Sequence, residues 1–413
     1  MQNRTHDVIV VGAGPAGGTT ALALARQGVR VAVIEKKAFP RRKVCGEYLS
    51  ATNLELFRQL GILDEFLFLA GPPVSRVGLF SRQQICAAPL PRPQPFTTWG
   101  RAFSRQHLDT LILQRAHDAG AVVFQPAEVT AYHTIPGGYQ IDLEQNGTQQ
   151  SVLAPVVVAA HGSWDYGPMP TQRTKESSQP HDMLGFKAHF RQSELPTELM
   201  PLLAFPGGYG GMVNCENSLT SISLCIRRDR LEHLRQASSH TSAADVIFEH
   251  LLTTNRGIRQ TLGNATLVEK WLATGAIQPG IRIQSRGGLF QVGNAAGEAH
   301  PVVAEGISMA IQAGFLLARM LGSSPHPGQW QADELERIGK QYDAAWKRCF
   351  ANRIHHAGWI ARWAMSRALQ GFTSPVVRLF PQLLTIGATF SGKANLQVWK
   401  SLTSGNSVRS GSL

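Results

Sequence analysis

The sequence predicts an α/β (α+β) fold, with a parallel-sheet domain, an inserted antiparallel-sheet domain and a helical region toward the C-terminus. Residues 7–35 predict a strand, a glycine turn, a helix and a second strand in immediate succession. From about residue 172 to residue 280 the pattern changes to longer loops and strands of period two, as in residues 185–190 and 219–226. Beyond about residue 331 the chain is helical and rich in aromatic residues.

The glycine turn in Asp7-Val-Ile-Val-Val-Gly-Ala-Gly-Pro-Ala-Gly-Gly18 is the first candidate site. Gly12 permits the tight turn, Gly14 lets the backbone approach a pyrophosphate, and Gly17 lets the helix lie close to the strand. The second strand ends at Glu35, whose carboxylate can accept hydrogen bonds from an adenosine ribose. These features match a dinucleotide-binding fingerprint in its proper context. The residues predicted to hold the nucleotide are Gly12, Gly14, Ala16, Gly17 and Glu35.

The other elements follow in chain order. Helices are predicted over residues 50–60 and from Arg105 to a stop at Gly120, and further strands over residues 121–124, 128–130, 139–143 and 152–160. Residues 72–98 are rich in proline, serine and glutamine and predict an excursion from the first domain. A further strand followed by a turn is predicted over residues 290–297, and a helix over residues 305–318. We therefore expect a discontinuous cofactor domain of residues 1–71, 100–165 and 281–325, a substrate domain of residues 72–99 and 166–280, a C-terminal helical region of residues 326–400 and a flexible tail of residues 401–413.

Composition narrows the class of protein. The chain has 413 residues, of which 43% are hydrophobic, as in ordinary soluble globular proteins. Forty Lys and Arg against 28 Asp and Glu give a net charge of +12, which suits anionic cofactors, acidic substrates or an anionic membrane surface. The basic residues are scattered and are not interleaved with aromatic residues, so we expect no nucleic-acid partner.

The cysteines and the apolar segments of the chain bear on metal binding and on localisation. The five cysteines are an odd number without a C-x-x-C pair, so neither a disulfide framework nor a metal site is expected. The six residues before the first predicted strand leave no room for a signal peptide, and the most apolar window, residues 306–321, is short and interrupted by Gln312 and Arg319. We therefore expect a cytoplasmic protein.

Four ordered motifs resemble the p-hydroxybenzoate hydroxylase-like FAD-dependent oxidoreductases over roughly residues 5–325. Within that superfamily, the Cys-Gly-Glu segment and the last motif look most like the geranylgeranyl reductase branch and its monooxygenase relatives. The resemblance implies a Rossmann-type domain that binds FAD, with NADPH or NADH as the reductant. The motifs are Gly12–Gly17 with Glu35, Arg42-Lys-Val-Cys-Gly-Glu47, Arg105-x-x-Leu-Asp109, and Gly293-Asn-Ala-Ala-Gly297 with Pro301 and Glu305-Gly-Ile307.

The resemblance also implies how FAD is held. Backbone N–H groups of Gly306 and Ile307 at a helix start would stabilise negative charge at the N1–C2=O edge of the flavin. Three of the residues implied to hold FAD also have a simpler interpretation. Arg42 could be a solvated surface charge, Val129 an ordinary strand residue, and Arg105 the start of a helix. The implied positions are Arg42 and Arg105 near the ribityl chain or pyrophosphate, Val129 at the adenine, Cys45 and Gly46 beside the isoalloxazine, and Pro301 over one flavin face.

Two positions depart from the family. Gly293-Asn294 stands where the family has Gly-Asp, so an amide replaces the carboxylate that faces the ribityl hydroxyls. We still expect Gly293 and Asn294 to bind the cofactor. His161-Gly162 stands where many hydroxylases have Asp-Gly, which leaves the use of NADPH open.

The reaction is less determined than the cofactor. Halogenation is disfavoured because no Trp-x-Trp-x-Ile-Pro segment is present. A quinone oxidoreductase with an iron–sulfur cluster is disfavoured because the cysteines are not grouped as ligands for a cluster. The Tyr-x-Trp-x-Phe-like strand of the prenyl reductases is only partly echoed in residues 208–212, without the tryptophan. The surrounding residues 205–213 predict a glycine-rich hairpin or a ligand-facing wall. We therefore favour an NAD(P)H-dependent monooxygenase of an apolar aromatic, polyketide-like or isoprenoid-like small molecule in a biosynthetic pathway of secondary metabolism. The alternatives are a carbon–carbon double-bond reductase of the geranylgeranyl reductase type and a non-catalytic FAD-binding protein.

Candidate proton-handling residues lie on the segments that flank the predicted flavin. They are His300, Cys45, Glu47 and Glu305. His300 attracts attention because histidine titrates near neutrality, while the simpler alternative is a hydrogen bond within its loop. Glu305 has the alternative of capping the helix that follows it.

The C-terminal region offers one candidate partner besides the substrate. Trp346, Trp359 and Trp363 lie among basic residues, a pattern that suits either peripheral contact with a membrane or a helix packed on the core. The oligomeric state stays open.

Overall fold

The computed structural model describes residues 6–91, 98–172, 177–236, 242–366, 368 and 376–389. The predicted α/β (α+β) fold is confirmed, with a parallel sheet, antiparallel sheets and helices toward the C-terminus. The tail of residues 401–413, predicted to be flexible, lies outside the described residues.

The strands and helices are numbered in chain order. The strands are β1 (Val8–Val11), β2 (Val31–Ile34), β3 (Tyr48–Leu49), β4 (Arg76–Ser81), β5 (Gln84–Pro89), β6 (Arg101–Ala102), β7 (Val122–Phe124), β8 (Glu128–Ile135), β9 (Gly138–Gln145), β10 (Thr148–Ala154), β11 (Val156–Ala159), β12 (Met183–Arg191), β13 (Leu199–Phe205), β14 (Gly208–Asn214), β15 (Thr220–Arg227), β16 (Thr266–Leu267), β17 (Leu272–Ile277), β18 (Gly280–Ile281), β19 (Leu289–Gln291) and β20 (Gly297–Glu298). The α-helices are α1 (Pro15–Ala25), α2 (Leu54–Leu60), α3 (Leu63–Leu69), α4 (Arg105–Asp118), α5 (Arg228–Gln236), α6 (Ala243–Thr254), α7 (Arg256–Leu262), α8 (Gly306–Gly322), α9 (Ala332–Met365) and α10 (Gln382–Ala388).

The parallel sheet has five strands in the order β19-β11-β1-β2-β7. Its central strands are runs of Val and Ile because both faces are covered. Val8 and Val10 of β1 pack in one core with α1, α4 and α8, whereas Ile9 and Val11 pack in another with the small sheet β10-β9-β8. The carboxyl ends of β1 and β2 therefore open at one edge, next to the start of α1.

The large sheet has eight strands, in the order β16-β12-β15-β14-β13-β4-β5 with β17 paired to β12. Its neighbouring strands are antiparallel except β13 and β4, which are parallel. The excursion of residues 72–98 thus contributes β4 and β5 to a sheet whose other strands begin only at Met183. Phe186, Ile222 and Leu224 pack on one face against α6 and α7, which leaves the other face toward the parallel-sheet domain and α9.

The C-terminal helices close the space between the two sheets. The first half of α9 buries Tyr342, Trp346 and Phe350 in the core of the parallel-sheet domain. Its second half places Ala361 and Ala364 against the free face of the large sheet. Helix α10 packs on β4 and β5. Among the described helices, none combines the length and the apolar character that crossing a bilayer requires.

Several element boundaries differ from the predicted ones. Helix α1 begins at Pro15, four residues before the helical run that the sequence indicates from Thr19 to Gln27, because proline is favoured at the first helical position, and it ends at Ala25. The predicted helix of residues 50–60 opens with a 3₁₀ turn and ends at Gly61, whose φ of 69° is left-handed as a helix stop requires. The predicted strand of residues 128–130 extends to Ile135, since it pairs along its whole length with β9.

Candidate active site

A cavity of about 480 Å³ lies between the edge of the parallel sheet and the free face of the large sheet. The structure brings most of the predicted cofactor-binding residues onto its wall. The predicted residues that line it are Gly12, Gly14, Ala16, Glu35, Cys45, Gly46, Arg105, Val129, Gly293, Asn294, Pro301, Gly306 and Ile307. Gly17 and Arg42 do not line it.

One end of the cavity is the glycine turn between β1 and α1. Gly12 has a φ of +102°, and a side chain there would meet the carbonyl oxygen of Ala160 at 2.6 Å. A side chain at Gly17 would collide with the backbone of Gly12, so Gly17 serves helix packing rather than the wall of the cavity. The start of α1 consequently presents free backbone N–H groups toward the cavity, where a phosphate can bind.

Glu35 organises this turn. Its side chain is buried, and its Oε2 atom accepts a hydrogen bond of 2.8 Å from the backbone N–H of Ala13. Its Oε1 atom accepts one of 2.9 Å from Lys37 N–H. Oε2 also accepts a longer contact of 3.5 Å from Arg41, so the second lone pair of Oε1 is the one left to accept a hydrogen bond from a ribose.

Three basic side chains follow along the wall, and two of them were not predicted. Arg105 is buried and forms a two-pronged ion pair with Asp109, at 2.7 and 2.6 Å. Lys43 lies over the Trp164 ring at 5.3 Å, and burial together with Arg105 and Arg41 lowers the pKa of this lysine. The buried Nε atom of Arg41 has no hydrogen-bond partner among the described residues. This donor set fits an anionic diphosphate, whose charge would offset the repulsion among the three cations.

The prediction for Arg42 is wrong in position. Its guanidinium pairs with Glu269 at 2.5 Å and donates to the carbonyl oxygen of Lys270 at 3.2 Å, away from the cavity wall. Its neighbours Arg41 and Lys43 line the cavity instead. The basic cluster in residues 41–43 was visible in the sequence, but which of its side chains turn inward depends on the path of an irregular segment.

Another part of the cavity wall, beside the start of α1, is formed by the 3₁₀ turn of residues 293–295 and the start of α8. Gly293 has a φ of +59°, and a side chain there would lie 2.8 Å from the Cβ atom of Ala16. Gly306 and Ile307 open α8 on the cavity wall, and a Cβ atom at Gly306 would have no neighbour within 4 Å. A second helix N-terminus therefore faces the cavity, where it can stabilise negative charge on a bound ring.

The segment of residues 44–47 crosses the free face of the large sheet. A Cβ atom at Gly185 of β12 would lie 3.2 Å from Cγ1 of Val44, and one at Gly46 would lie 3.8 Å from Oγ of Ser223 on β15. Cys45 is half-buried on the wall between them. The buried Ser223 hydroxyl has no partner among the described residues, so it is available to a ligand.

Glu47 is a clamp rather than a proton donor, which corrects its predicted role. Its Oε1 atom pairs with the buried ammonium of Lys187 and accepts Arg105 N–H at 3.1 Å. Its Oε2 atom lies 2.7 Å from Nε2 of His189 and accepts a longer contact of 3.6 Å from the Cys215 thiol. Burial alone would raise the pKa of Glu47, but Lys187 and His189 outweigh it and hold that pKa well below its usual range. A carboxylate so bound stays ionised and joins the two domains.

The other predicted acid–base candidates lie behind the cavity wall. Nδ1 of His300 lies 3.1 Å from the hydroxyl of Tyr209, and burial and Arg362 lower the pKa of His300 to about 4. It is therefore neutral at pH 7, and the expectation that it titrates near neutrality is wrong. Glu305 is fully buried at the N-cap position of α8, as its capping alternative expects, although its side chain makes no capping hydrogen bond to that helix.

His161 is the residue that stands where many hydroxylases of the family have an aspartate. His161 lines the cavity, and its ring nitrogens lie 2.9 Å from the carbonyl oxygen of Gly162 and 2.9 Å from Oγ1 of Thr171. Burial lowers the pKa of His161 to about 4, so it adds no charge near neutrality. Asp165, which also lines the cavity, is the acidic group that acts on His161.

Sequence reasoning missed the residues that the large sheet contributes. Residues 205–213 were predicted as a hairpin or a wall; they join β13 to β14 in a hairpin, and Tyr209 and Gly211 of β14 line the cavity. Tyr209 pairs in register with Cys225, and Gly211 with Ser223. Their period-two alternation was visible in the sequence, but which face meets the cavity follows only from strand pairing.

The fold and this site together define an FAD-dependent oxidoreductase of the expected superfamily. Residues 5–335 match the protein family described as FAD binding domain, and the chain belongs to that family.

Named relatives and solved structures agree with this class. A menaquinone reductase of Mycobacterium tuberculosis is 25% identical over 358 residues, which cover 82% of this chain and 82% of that protein. Digeranylgeranylglycerophospholipid reductase 2 of Methanopyrus kandleri is 24% identical over 366 residues, which cover 85% of this chain and 84% of that protein. The structure of the flavin-dependent brominase Bmp2 covers 98% of this chain and 100% of its own, with a TM-score of 0.72 at 17% identity. The last likeness shows a shared fold alone.

The role of Glu35 can be tested by Glu35→Ala. We expect the dissociation constant for FAD to rise about 10- to 100-fold, because charge-assisted hydrogen bonds contribute roughly 1.5–3 kcal/mol. The measurement is the flavin-to-protein ratio after purification and a fluorescence titration with FAD. Glu55→Ala is the matched control, since Glu55 pairs with Arg58 on the surface of α2. Unchanged FAD affinity in Glu35→Ala would show that the ribose assignment is wrong.

The clamp can be tested by Glu47→Gln. We expect the free energy of unfolding to fall by about 3–5 kcal/mol, because Lys187 is left buried without its counter-charge. Urea denaturation measures this, with Glu65→Gln, which breaks a surface pair with Arg115, as the control. The folded pKa of Glu47 lies below its ordinary value of 4.5, so the wild-type protein should lose this stabilisation as the pH falls below about 4.5, and the variant should not. Equal stability of Glu47→Gln and wild type would contradict the clamp.

Proposed function

We propose that this chain is an FAD-dependent reductase that saturates a carbon–carbon double bond in the isoprenoid chain of a lipid-like substrate. The observation that carries the proposal is an apolar arm of the cavity, which continues from the free face of the large sheet beneath the C-terminal helices. Its walls are Met200 and Leu202 of β13, Ile360 and Trp363 of α9, and Leu383 and Leu384 of α10. An extended apolar chain suits such a passage, whereas a compact aromatic molecule would leave much of it unfilled.

The far end of this arm reaches an exposed apolar surface formed by Leu379, Phe380, Leu383 and Ile386, which we call the C-terminal apolar surface. The side chains of Leu379 and Phe380 are 74% and 59% exposed, and Leu383 belongs both to this surface and to the cavity wall. Exposed Arg378 lies beside them. An apolar surface with Arg378 beside it, on a chain of net charge +12, suits an anionic bilayer that holds the substrate.

The named relatives support reduction. The two proteins described above, a menaquinone reductase and a digeranylgeranylglycerophospholipid reductase, are similar to this chain over more than four fifths of each length. Their names pair a reduction with lipids. The sequence alone favours hydroxylation, and the apolar arm together with these relatives moves our proposal to its alternative, the double-bond reductase.

The residues of this chain divide the work along the cavity. FAD, when bound, supplies a hydride after it has been reduced, for which we propose NADPH or NADH as the source. Arg41, Lys43 and Arg105 would hold its diphosphate, and the start of α8 would stabilise negative charge at its ring. The face of β13 and the side chains of α9 exclude water and align the apolar chain.

The reaction can be tested with two probes, a geranylgeranylglycerol ether in detergent and menaquinone with a short isoprenoid chain. We expect the FAD-loaded protein with NADH, NADPH or dithionite under argon to add two hydrogens to the chain of a probe, as measured by mass spectrometry after reoxidation in air. Reoxidation restores a quinone ring, so a mass gain that persists locates the reduction in the isoprenoid chain.

Other outcomes of the same experiment identify other functions. A gain of one oxygen under air would support the monooxygenase instead. Flavin that is reduced but leaves both probes unchanged, under argon and under air, would contradict the proposed reductase.

Membrane contact can be tested by the double variant Leu379→Asp, Phe380→Asp. We expect wild-type protein to float with vesicles of phosphatidylglycerol and phosphatidylcholine, and the bound fraction of the variant to fall at least about 10-fold, since burying each of these side chains contributes roughly 1.5–3 kcal/mol. Leu267→Asp is the matched control, because Leu267 is an exposed leucine on β16, at the opposite edge of the large sheet from β4 and β5. Equal flotation of the double variant and the wild type would contradict this docking surface.

A further inference from the structure

We propose that Tyr209 is the proton donor of the reduction and that His300 returns a proton to it from outside the cavity. This assignment rests on the proposed reductase function. It concerns the tyrosine of the partly echoed Tyr-x-Trp-x-Phe-like strand, which was not among the predicted acid–base candidates, and a histidine that the structure places behind the cavity wall.

The position of Tyr209 follows from strand pairing. Tyr209 lies beside Cys225 of β15 and Ala204 of β13 on the cavity face of the large sheet. Ser223 lies two residues before Cys225 on β15, and Gly46 crosses the cavity face of the sheet at Ser223. Residues two apart on a strand are about 6.5–7 Å apart. Tyr209 therefore lies one side chain beyond the segment of residues 44–47, toward the apolar arm.

The other side of Tyr209 is covered by the turn that carries Pro301. Val302 packs in the same cluster as Tyr209, together with Ala361 and Ala364 of α9. The Tyr209 side chain is 1% exposed, yet it lines the cavity. Tyr209 thus lies at the junction between the cofactor end and the apolar arm, with its hydroxyl in contact with His300.

His300 connects this hydroxyl to the outside. Its Nδ1 atom lies 3.1 Å from the Tyr209 hydroxyl, with the rings edge to face at a centroid distance of 6.2 Å. His300 does not line the cavity and keeps part of its surface exposed. When Nδ1 carries the proton, it donates to the tyrosine oxygen and leaves the hydroxyl hydrogen for the cavity.

The charged and titratable neighbours keep both groups neutral. Arg362 of α9 acts on His300, and Cys225 of β15 and Glu298 of β20 act on Tyr209. Burial raises the pKa of Tyr209, and burial and Arg362 lower the pKa of His300. A neutral imidazole can pass a proton by taking one on Nε2 and giving one from Nδ1, without becoming charged overall.

The proposed step balances in protons and electrons. The π bond of the substrate breaks, and one of its carbons forms a C–H bond with the hydride that reduced FAD supplies. The other carbon takes the hydroxyl proton of Tyr209. The resulting phenolate takes the Nδ1 proton of His300, and Nε2 takes one from water, so the substrate gains two hydrogens and the protein returns to its starting charge.

The test compares Tyr209→Phe with wild type in a single turnover. Each protein is loaded with FAD, reduced with dithionite under argon and mixed with the geranylgeranylglycerol ether. We expect saturated product to form about 10²–10⁴ times more slowly in Tyr209→Phe, the range typical of a lost general acid, with the FAD content and the dissociation constant for the probe unchanged. Tyr342→Phe is the matched control, since it removes an equally buried hydroxyl that donates to the carbonyl oxygen of Gln291 in the core.

A second measurement is independent of turnover. In protein labelled with ¹³C at the Cε1 atoms of histidine, we expect the His300 resonance, assigned by its loss in His300→Gln, to shift in Tyr209→Phe and to stay in place in Tyr342→Phe. His300→Gln itself should slow the single turnover without changing the dissociation constant for the probe.

The outcomes separate the two proposals. Product formed at the wild-type rate by Tyr209→Phe would overturn the proton donor and leave the reductase standing. An unchanged His300 resonance in Tyr209→Phe would overturn the pairing of the two residues. Wild-type protein that leaves the ether and the menaquinone probe unsaturated would overturn the reductase and the proton donor together.

Discussion

The buried carboxylate of Glu47 is the interaction on which the rest of the site depends. It binds Lys187 and His189 of the large sheet and the first N–H of α4 in the parallel-sheet domain. Glu47 has a φ of 59°, a conformation that a residue with a side chain adopts only where its surroundings hold it. The two domains are therefore fixed relative to each other at the point where residues 44–47 cross between them, and the cavity lies beside that crossing.

The cavity changes character along its length. At the glycine turn it offers a helix start and the cations Arg41, Lys43 and Arg105, an environment that stabilises a diphosphate. Beyond the start of α8 the walls come from β13, α9 and α10 and are apolar. A single passage thus combines an anion-binding end with a lipid-like end, which suits a cofactor whose phosphates and reactive ring lie far apart and a substrate that is largely hydrocarbon.

The structure also explains why several polar groups of the site are neutral or fully occupied. Burial lowers the pKa of His161 and of His300 to about 4, so neither carries charge at neutral pH. Glu47 is ionised but bound on both oxygens. Tyr209, the proton donor that we propose, is neutral and lies on the cavity wall. Hydroxylation and reduction both need a dry cavity and a proton, so the shape of the apolar arm and the relatives support our choice between them.

The sequence by itself determined the cofactor end of this protein. Gly12, Gly17 and Glu35 act through backbone turns, close packing and a strand end, which are local properties that a motif in its proper context specifies. The large sheet and its active face were decided only by the tertiary structure. Tyr209, Ser223 and the clamp of Glu47 depend on strand register and on contacts across 142 residues, as between Glu47 and His189. Arg42 shows the same limit, because a run of three basic residues does not specify which of them faces inward. Local patterns specify turns and helix ends, whereas a wall built from distant strands exists only when those strands pair.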